Sequence, residues 1–265
     1  MTAPGGPGDG QGTVVLVAGE GWSTSVVYNY LRDHFALRRV VIEAPPSRWT
    51  IVRNRTRRLG ARAVAGQLLF QVGLTPILRF EARARERELK RLYSLDGRPP
   101  PPGVVTRVAS ANAPETIELL GALAPAVVVI NGTRILSPEL LRSVRAPFVN
   151  IHAGITPRYR GVHGAFWALV EGRPEWCGVT VHLVDAGVDT GPVLAQACVR
   201  PSRRDNFSTY PVLQLAAGLP LLRQAVADLL DGRLATIHPA ARPSKLWYHP
   251  TLSEYLRARL LGKVR

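Results

Sequence analysis

Short apolar runs alternate along the chain with segments of helical periodicity. Seven runs have the length and β-branched composition of buried strands: Val14–Ala18, Val40–Ile42, Val104–Val108, Ala126–Ile130, Val149–His152, Val179–Leu183 and Val193–Val199. Helical patterns separate several of them, notably Ala113–Leu123, Pro138–Val144, Val162–Val170 and Pro211–Leu230. Alternating strands and helices predict an α/β fold with a doubly wound, mostly parallel, Rossmann-like sheet. Ligands of such sheets bind beyond the carboxyl ends of the strands.

One stretch breaks this alternation. Residues 45–103 lie between the second and third predicted strands and end in four consecutive prolines, Pro99 to Pro102. Thirteen Lys and Arg against four Asp and Glu between Arg48 and Arg98 give this stretch a charge of +9. We interpret it as a basic helical insertion in a main domain at 13–232, with a disordered Gly/Pro tail at 1–12 and a short C-terminal extension at 233–265. A solvated pair of helices is its simplest role.

The whole chain carries a net charge of +15, which favours anionic partners. The uncharged run from Val64 to Leu78 is shorter than the roughly 20 residues that span a bilayer, so we expect a soluble protein. Cys177 and Cys198 are too few for a disulfide framework or a zinc site. They indicate two packing cysteines, a reducing cytoplasmic location and no metal.

Polar residues interrupt the strand at Val149–His152. Residues two apart on a strand face the same side, so Asn150 and His152 would project together from the strand end. An amide beside an imidazole suits a developing oxyanion, although a structural hydrogen-bonded pair gives the same pattern. A second segment, Gly178 to Pro192, runs from a strand into a glycine-containing loop that carries Asp185 and Asp189. Such loops hold catalytic carboxylates, but these acids would also suit a simple turn.

Together with Arg134-Ile135-Leu136-Ser137 and the Pro157 to Gly161 turn, these two segments resemble the folate-dependent formyltransferase family. The resemblance implies an N-formyltransferase that uses 10-formyltetrahydrofolate as cosubstrate. It implies that Asn150 and a protonated His152 stabilise an oxyanion, and that Asp189 favours the imidazolium and helps to collect the amine proton. It also implies a folate pocket formed by Arg134, Ile135 and Leu136 with Val184, Asp185, Ala186, Gly187 and Val188.

The acceptor is the part of the activity that the resemblance leaves open. In the purine-pathway members of the family, the first glycine loop holds the acceptor phosphate. Here that loop predicts acceptor binding by Gly19, Gly21, Trp22 and Ser23 at a helix start. However, Glu20 brings a like charge, and Leu215 to Pro220 lack the family's amine-binding acid. We therefore expect an amino sugar nucleotide or another small, specialised, anionic amine as the acceptor.

The sequence is also compatible with three alternative functions. They are phosphoribosylglycinamide formyltransferase, a 10-formyltetrahydrofolate hydrolase and a non-catalytic folate-binding module. No regulatory domain of the hydrolase type precedes Thr13, and no C-terminal barrel of the initiator-tRNA enzyme follows, so we do not expect a nucleic acid acceptor. For the basic insertion, an anionic partner or a membrane surface is an alternative that we do not favour here. A homodimer is a further alternative.

Overall fold

A seven-stranded sheet forms the centre of the computed structural model, which describes residues 12–238 and 243–265. Most of the tail predicted at 1–12 therefore lies outside the described residues. The strands of this sheet, in chain order, are β1 Val14–Gly19, β2 Leu37–Glu43, β3 Val105–Val108, β4 Val127–Asn131, β5 Phe148–His152, β7 Gly178–Leu183 and β8 Val193–Cys198. Two short strands, β6 Arg160–Gly161 and β9 Leu246–Trp247, pair in a separate small sheet.

The order of strands in the large sheet is β3-β2-β1-β4-β5-β7-β8. The first five are parallel, whereas β7 runs antiparallel to both β5 and β8. This confirms the predicted doubly wound, mostly parallel sheet. The chain winds to one side of β1 and then to the other, so the direction reverses between β1 and β4. Ligands of open α/β sheets bind at this kind of switch point.

Nine helices lie in the described part of the chain. They are α1 Trp22–Arg32, α2 Arg48–Leu59, α3 Ala61–Leu69, α4 Thr75–Leu92, α5 Pro114–Leu123, α6 Pro138–Ser143, α7 Gly164–Val170, α8 Tyr210–Leu230 and α9 Leu252–Leu260. A π-helical turn at Phe70–Leu74 joins α3 to α4, so one continuous helix runs from Ala61 to Leu92. The predicted helical character of the insertion between β2 and β3 is therefore present in the structure.

The insertion and the C-terminal segment share one apolar core with the sheet domain. Phe70 of the insertion packs edge-on against Phe207 at a ring-centroid distance of 4.9 Å, and 5.1 Å from Tyr255 of α9. A capping box between Thr251 and Glu254 begins α9 and satisfies backbone donors at its start. Both segments are thus held by buried aromatic side chains.

Two expectations about the surface need correction. Cys198 is exposed and does not pack in the core, whereas Cys177 is buried. The continuous helix Ala61–Leu92 is also longer than the uncharged run that the sequence suggested. Its best 18-residue window has a mean hydropathy of 1.3, so by length and composition alone the helix could cross a membrane.

Candidate active site

Asn150 and His152 lie at the carboxyl end of β5, on the same face of the strand. The β5–β7 register pairs Asn150 with His182 and His152 with Thr180. Glycine at position 218 lets α8 lie close against this strand, because a Cβ there would approach Ile151 Cδ1 to 2.6 Å. The polar end of β5 is therefore held between β4, β7 and α8.

Asp189 reaches this strand end from the loop that follows β7. Its Oδ2 accepts a hydrogen bond of 2.8 Å from the Gly161 N–H and lies 3.4 Å from His152 Nδ1. Its Oδ1 accepts from Asn150 Nδ2 at 3.3 Å. Asp189 has a positive φ of 50°, a conformation that aspartate adopts more readily than most residues. The loop geometry thus brings the three predicted catalytic side chains into one cluster.

Burial and the Asp189 carboxylate have opposite effects on the protonation of His152. Burial lowers the pKa of His152, and the Asp189 carboxylate opposes this effect only in part. His152 Nε2 lies 2.7 Å from the carbonyl oxygen of Tyr159, which can only accept, so this nitrogen carries the proton. The 3.4 Å distance to Asp189 is longer than a typical charge-assisted hydrogen bond. Nδ1 faces the Asp189 carboxylate, whose negative charge favours a proton on this nitrogen.

Asp189 keeps its negative charge beside His152. Burial raises the pKa of Asp189, but the contacts with His182, His152 and the Gly161 N–H outweigh burial, and the pKa falls below its ordinary value. A proton that reached His152 Nδ1 would complete an ion pair with Asp189. His152 and Asp189 together can therefore accept one proton.

His182 is a member of the cluster that the sequence did not identify. Its Nδ1 donates to the carbonyl oxygen of Leu183 at 2.8 Å, and its Nε2 lies 3.1 Å from Asn150 Nδ2 and 3.5 Å from Asp189 Oδ1. The contact with Asn150 Nδ2 orients the Asn150 amide. The sequence signal was available in the strand alternation of Thr180 and His182, but it needs the β5–β7 register to become informative.

A cavity of about 340 Å³ opens on one side of the cluster. Seven of the eight residues predicted to bind folate line it: Arg134, Ile135, Leu136, Val184, Asp185, Gly187 and Val188. Ala186 is not among the lining residues of this cavity. Asp185 accepts hydrogen bonds from the Gly187 N–H and the Thr190 hydroxyl within its own loop. Its side chain therefore maintains the shape of the loop.

Arg134 is anchored from behind the cavity. The buried Glu43 side chain accepts from the Arg134 backbone N–H at 2.9 Å and lies 2.8 Å from its Nε. The guanidinium also donates to the carbonyl oxygens of Ala44 and Ala109. Because these contacts occupy much of its hydrogen-bonding capacity, Arg134 fixes this wall of the cavity.

A larger cavity of about 690 Å³ opens on the other side of β5, and Ile151 and Ala153 line both cavities. Trp22 and Ser23, which we predicted to bind the acceptor, line the larger one. Gly19 and Gly21 are not among its lining residues. Gly19 instead allows close packing, since a Cβ there would approach the Gly132 carbonyl oxygen to 2.5 Å.

The insertion forms one wall of this larger cavity. Arg79, Arg83 and Glu86 of α4 all line it. Glu86 lies 2.5 Å from Lys90, so its charge is compensated, whereas Glu20 in the glycine loop pairs with Arg107 at 2.9 Å. The electrostatic balance of the cavity is therefore positive.

His163 also lines the larger cavity. Burial, with the nearby His249 and Arg55, lowers the pKa of His163 to about 3. Its Nε2 lies 2.9 Å from His249 Nδ1. Both rings are thus neutral at physiological pH. No cluster of three or more His, Cys, Asp or Glu suited to a metal ion occurs among the described residues.

Comparison with known proteins identifies the family. A profile described as "Formyl transferase" matches residues 78–211, which is 134 of the 265 residues. The chain belongs to the formyl transferase family. The matched region begins inside α4 and contains Asn150, His152 and Asp189. The resemblance inferred from the sequence is thereby confirmed.

Two methionyl-tRNA formyltransferases are among the curated relatives of this family member. The protein of Trichlorobacter lovleyi is 34% identical over 142 residues, which are 53% of this chain and 44% of the relative. That of Thermosynechococcus vestitus is 39% identical over 117 residues, which are 44% of this chain and 35% of the relative. The chain therefore spans less than half the length of these relatives.

Solved structures share the fold at lower identity. A glycinamide ribonucleotide transformylase from Symbiobacterium toebii superposes with a TM-score of 0.55 at 21% identity, covering 91% of this chain and 96% of that protein. A sugar N-formyltransferase from Shewanella sp. FDAARGOS_354 gives a TM-score of 0.55 at 18% identity, covering 89% of this chain and 76% of that protein. At these identities the superpositions support the fold and leave the acceptor open.

Proposed function

We propose that the protein transfers the formyl group of 10-formyltetrahydrofolate to the primary amine of a small anionic acceptor, such as an amino sugar nucleotide. One observation carries this proposal: the cluster of Asn150, His152 and Asp189 adjoins β5 where two cavities meet. A transfer between two substrates requires that both reach one set of catalytic groups. Membership of the formyl transferase family supplies the reaction class.

The smaller cavity has the character of a folate site. Ile135, Leu136, Val184 and Val188 give it apolar walls that suit a flat aromatic ring. The loop at 184–188 adds backbone groups, which can pair with the polar edge of a pterin. Its volume of about 340 Å³ lies within the range of small-molecule sites, about 300–1,000 Å³. The cosubstrate would supply the formyl carbon at the end of β5.

The side chains of the cluster have complementary tasks in this reaction. Negative charge develops on the formyl oxygen as the amine attacks, and the Asn150 amide is the neutral donor best placed to stabilise it. Its two contacts with His182 and Asp189, at 3.1 and 3.3 Å, are long enough to be exchanged for that oxygen. His152 Nδ1 takes the amine proton, directly or through water, and returns it to the folate nitrogen as the bond between that nitrogen and the formyl carbon breaks, which releases tetrahydrofolate. The Asp189 carboxylate stabilises the resulting imidazolium.

The larger cavity favours an acceptor with a negative charge. Arg79 and Arg83 line it, and the acid beside them, Glu86, is paired with Lys90. Its wall on α8 includes Val212 and Leu215, whose apolar side chains offer no carboxylate to an acceptor amine. These features favour an amino sugar nucleotide over glycinamide ribonucleotide. The curated relatives act, by name, on methionyl-tRNA, and we extend only their formyl transfer to this chain.

A panel of acceptors tests this proposal. The protein is incubated with 10-formyltetrahydrofolate and with amino sugar nucleotides, other anionic amines and glycinamide ribonucleotide, while mass gain of the acceptor and release of formate are measured. We expect mass gain with an anionic amine and poor turnover of glycinamide ribonucleotide, because an unpaired buried group costs binding energy. Formate release without mass gain on any acceptor would contradict the transferase and support a hydrolase.

Removal of the cavity arginines should weaken acceptor binding. We expect Arg79→Ala and Arg83→Ala each to raise the KM for the acceptor by about tenfold, since each removes a charge-assisted contact to an anion. The KM for the folate should stay unchanged. Arg87→Ala is the matched control, because Arg87 lies on the same helix but does not line the cavity. Equal effects of all three substitutions would indicate a general loss of positive charge and contradict a specific acceptor contact.

A further inference from the structure

The continuous helix Ala61–Leu92 exposes large apolar side chains along one face. Leu69, Val72, Ile77 and Phe80, which we call the apolar strip, have exposed fractions of 61%, 75%, 54% and 66%. Their spacing places them on one side of the helix over about three turns. Isolated exposed apolar residues are ordinary in soluble proteins, but a continuous strip of this kind marks a contact surface.

The opposite face of the same helix is buried in the protein. Val64, Phe70, Leu78, Ala82 and Leu89 are all at most 4% exposed. This packing fixes the helix on the surface of the domain, so it does not cross a bilayer despite its length and hydropathy. A surface-bound helix with one apolar outer face instead matches the interfacial class, which lies in the plane of a membrane.

Arginines surround the apolar strip at both ends. Arg57, Arg58 and Arg62 are exposed before it, and Arg83 and Arg87 are exposed after it. Trp49 on the neighbouring α2 is 73% exposed and adds an aromatic side chain of the kind enriched at membrane interfaces. Basic residues around an apolar surface complement anionic lipid headgroups above an apolar interior.

The arginines around the apolar strip disfavour its coverage by a second copy of the chain. A two-fold contact pairs the same surface of both molecules, so the arginines around one apolar strip would face those around the other. Like charges placed across an interface are unfavourable. An anionic bilayer offers apolar contact and opposite charge together.

We propose that the apolar strip and its surrounding arginines dock the protein on an anionic membrane surface, with the helix parallel to that surface. The strip lies at the boundary between headgroups and acyl chains. The arginines that contact lipid phosphates are Arg57, Arg58, Arg62 and Arg87, whereas Arg83 borders the acceptor cavity. Docking is reversible, because a single strip buries little apolar area compared with a spanning helix.

If the larger cavity binds the acceptor, as the proposed function holds, docking brings that cavity close to the membrane. Arg79 and Arg83 line that cavity, and the Arg83 guanidinium lies 4.8 Å above the ring of Phe80 in the apolar strip. The cavity wall and the strip are therefore neighbouring faces of α4. Docking holds this side of the cavity beside the lipid headgroups.

Vesicle binding tests the proposal without folate or amine, so its result is independent of the proposed function. The full chain is mixed with vesicles of phosphatidylcholine alone or with added phosphatidylglycerol, and bound protein is measured by co-sedimentation. We expect binding to the anionic vesicles that weakens as salt is raised. The double substitution V72E/F80E should weaken it at least about tenfold, since it places charges in the apolar boundary.

L234E is the matched control, because Leu234 is also exposed, at 59%, but follows the far end of α8. Circular dichroism and thermal unfolding establish that the variants fold. Failure of the unaltered protein to bind anionic vesicles, or equal binding by V72E/F80E, would overturn the proposal. It would also be overturned if sedimentation velocity showed a dimer that V72E/F80E dissociates, since a second copy would then cover the strip.

Discussion

We expect His152→Ala to lower kcat/KM for formyl transfer by about a hundredfold to ten thousandfold, the usual contribution of a positioned general base. In the proposed mechanism His152 Nδ1, which faces Asp189, receives the amine proton, and alanine removes that site. The loss should lie mainly in kcat, because the side chain borders the smaller cavity but is only 6% exposed. Steady-state kinetics with the best acceptor of the panel would measure it.

Two controls separate this chemical role from a structural one. His34→Ala removes an exposed histidine remote from the cluster and should leave turnover unchanged. His152→Ala leaves the Tyr159 carbonyl oxygen without its contact, which costs about 1–3 kcal/mol of stability, so thermal unfolding must be measured alongside turnover. Near-normal kcat/KM in a folded His152→Ala protein would remove His152 from the reaction.

The strands of the sheet could be predicted well because their composition is unambiguous. In β1, Val14 to Ala18 are fully buried on both faces, and such a strand must be a continuous apolar run. The observed ends of β1, β5 and β7 differ from the predicted ends by a single residue. A strand that is buried on both faces contains no polar residues, so its limits can be predicted from the apolar run itself.

The catalytic cluster could be predicted only in part. Alternation along β5 places Asn150 and His152 together, and the family resemblance points to Asp189. His182 was missed because its position depends on the antiparallel pairing of β5 with β7, a contact between distant segments. A strand that continued the parallel sheet would have placed this histidine elsewhere.

The cavity of the acceptor was the least predictable part of the site. The glycine loop drew attention to Gly19 and Gly21, yet Gly19 serves close packing. Arg79 and Arg83 enter the cavity because α4 packs through Leu78 and Ala82 against the domain, which turns the adjacent helical face towards β5. Only the tertiary arrangement determines which arginines of the basic insertion face a substrate.

The pH dependence of Asp189→Asn gives the sharpest test of the proposed pairing. In the unaltered protein the active form has a neutral His152 and a charged Asp189. Because burial lowers the pKa of His152 below its ordinary value of about 6.5, activity should persist at pH 7 and fall as the pH drops through that lowered pKa. Asp189 opposes the effect of burial, so Asp189→Asn should move this acid limb to still lower pH.

The same substitution should lower the plateau of kcat by about a hundredfold or more, because the imidazolium loses its counter-charge. Asp185→Asn is the matched control, since Asp185 lies in the same loop but bonds to Gly187 and Thr190. It should change the KM for folate and leave the acid limb in place. The measurement is a profile of kcat and kcat/KM against pH at saturating folate. An acid limb that stayed at the same pH in Asp189→Asn would show that a group other than His152 titrates, and would contradict the pairing.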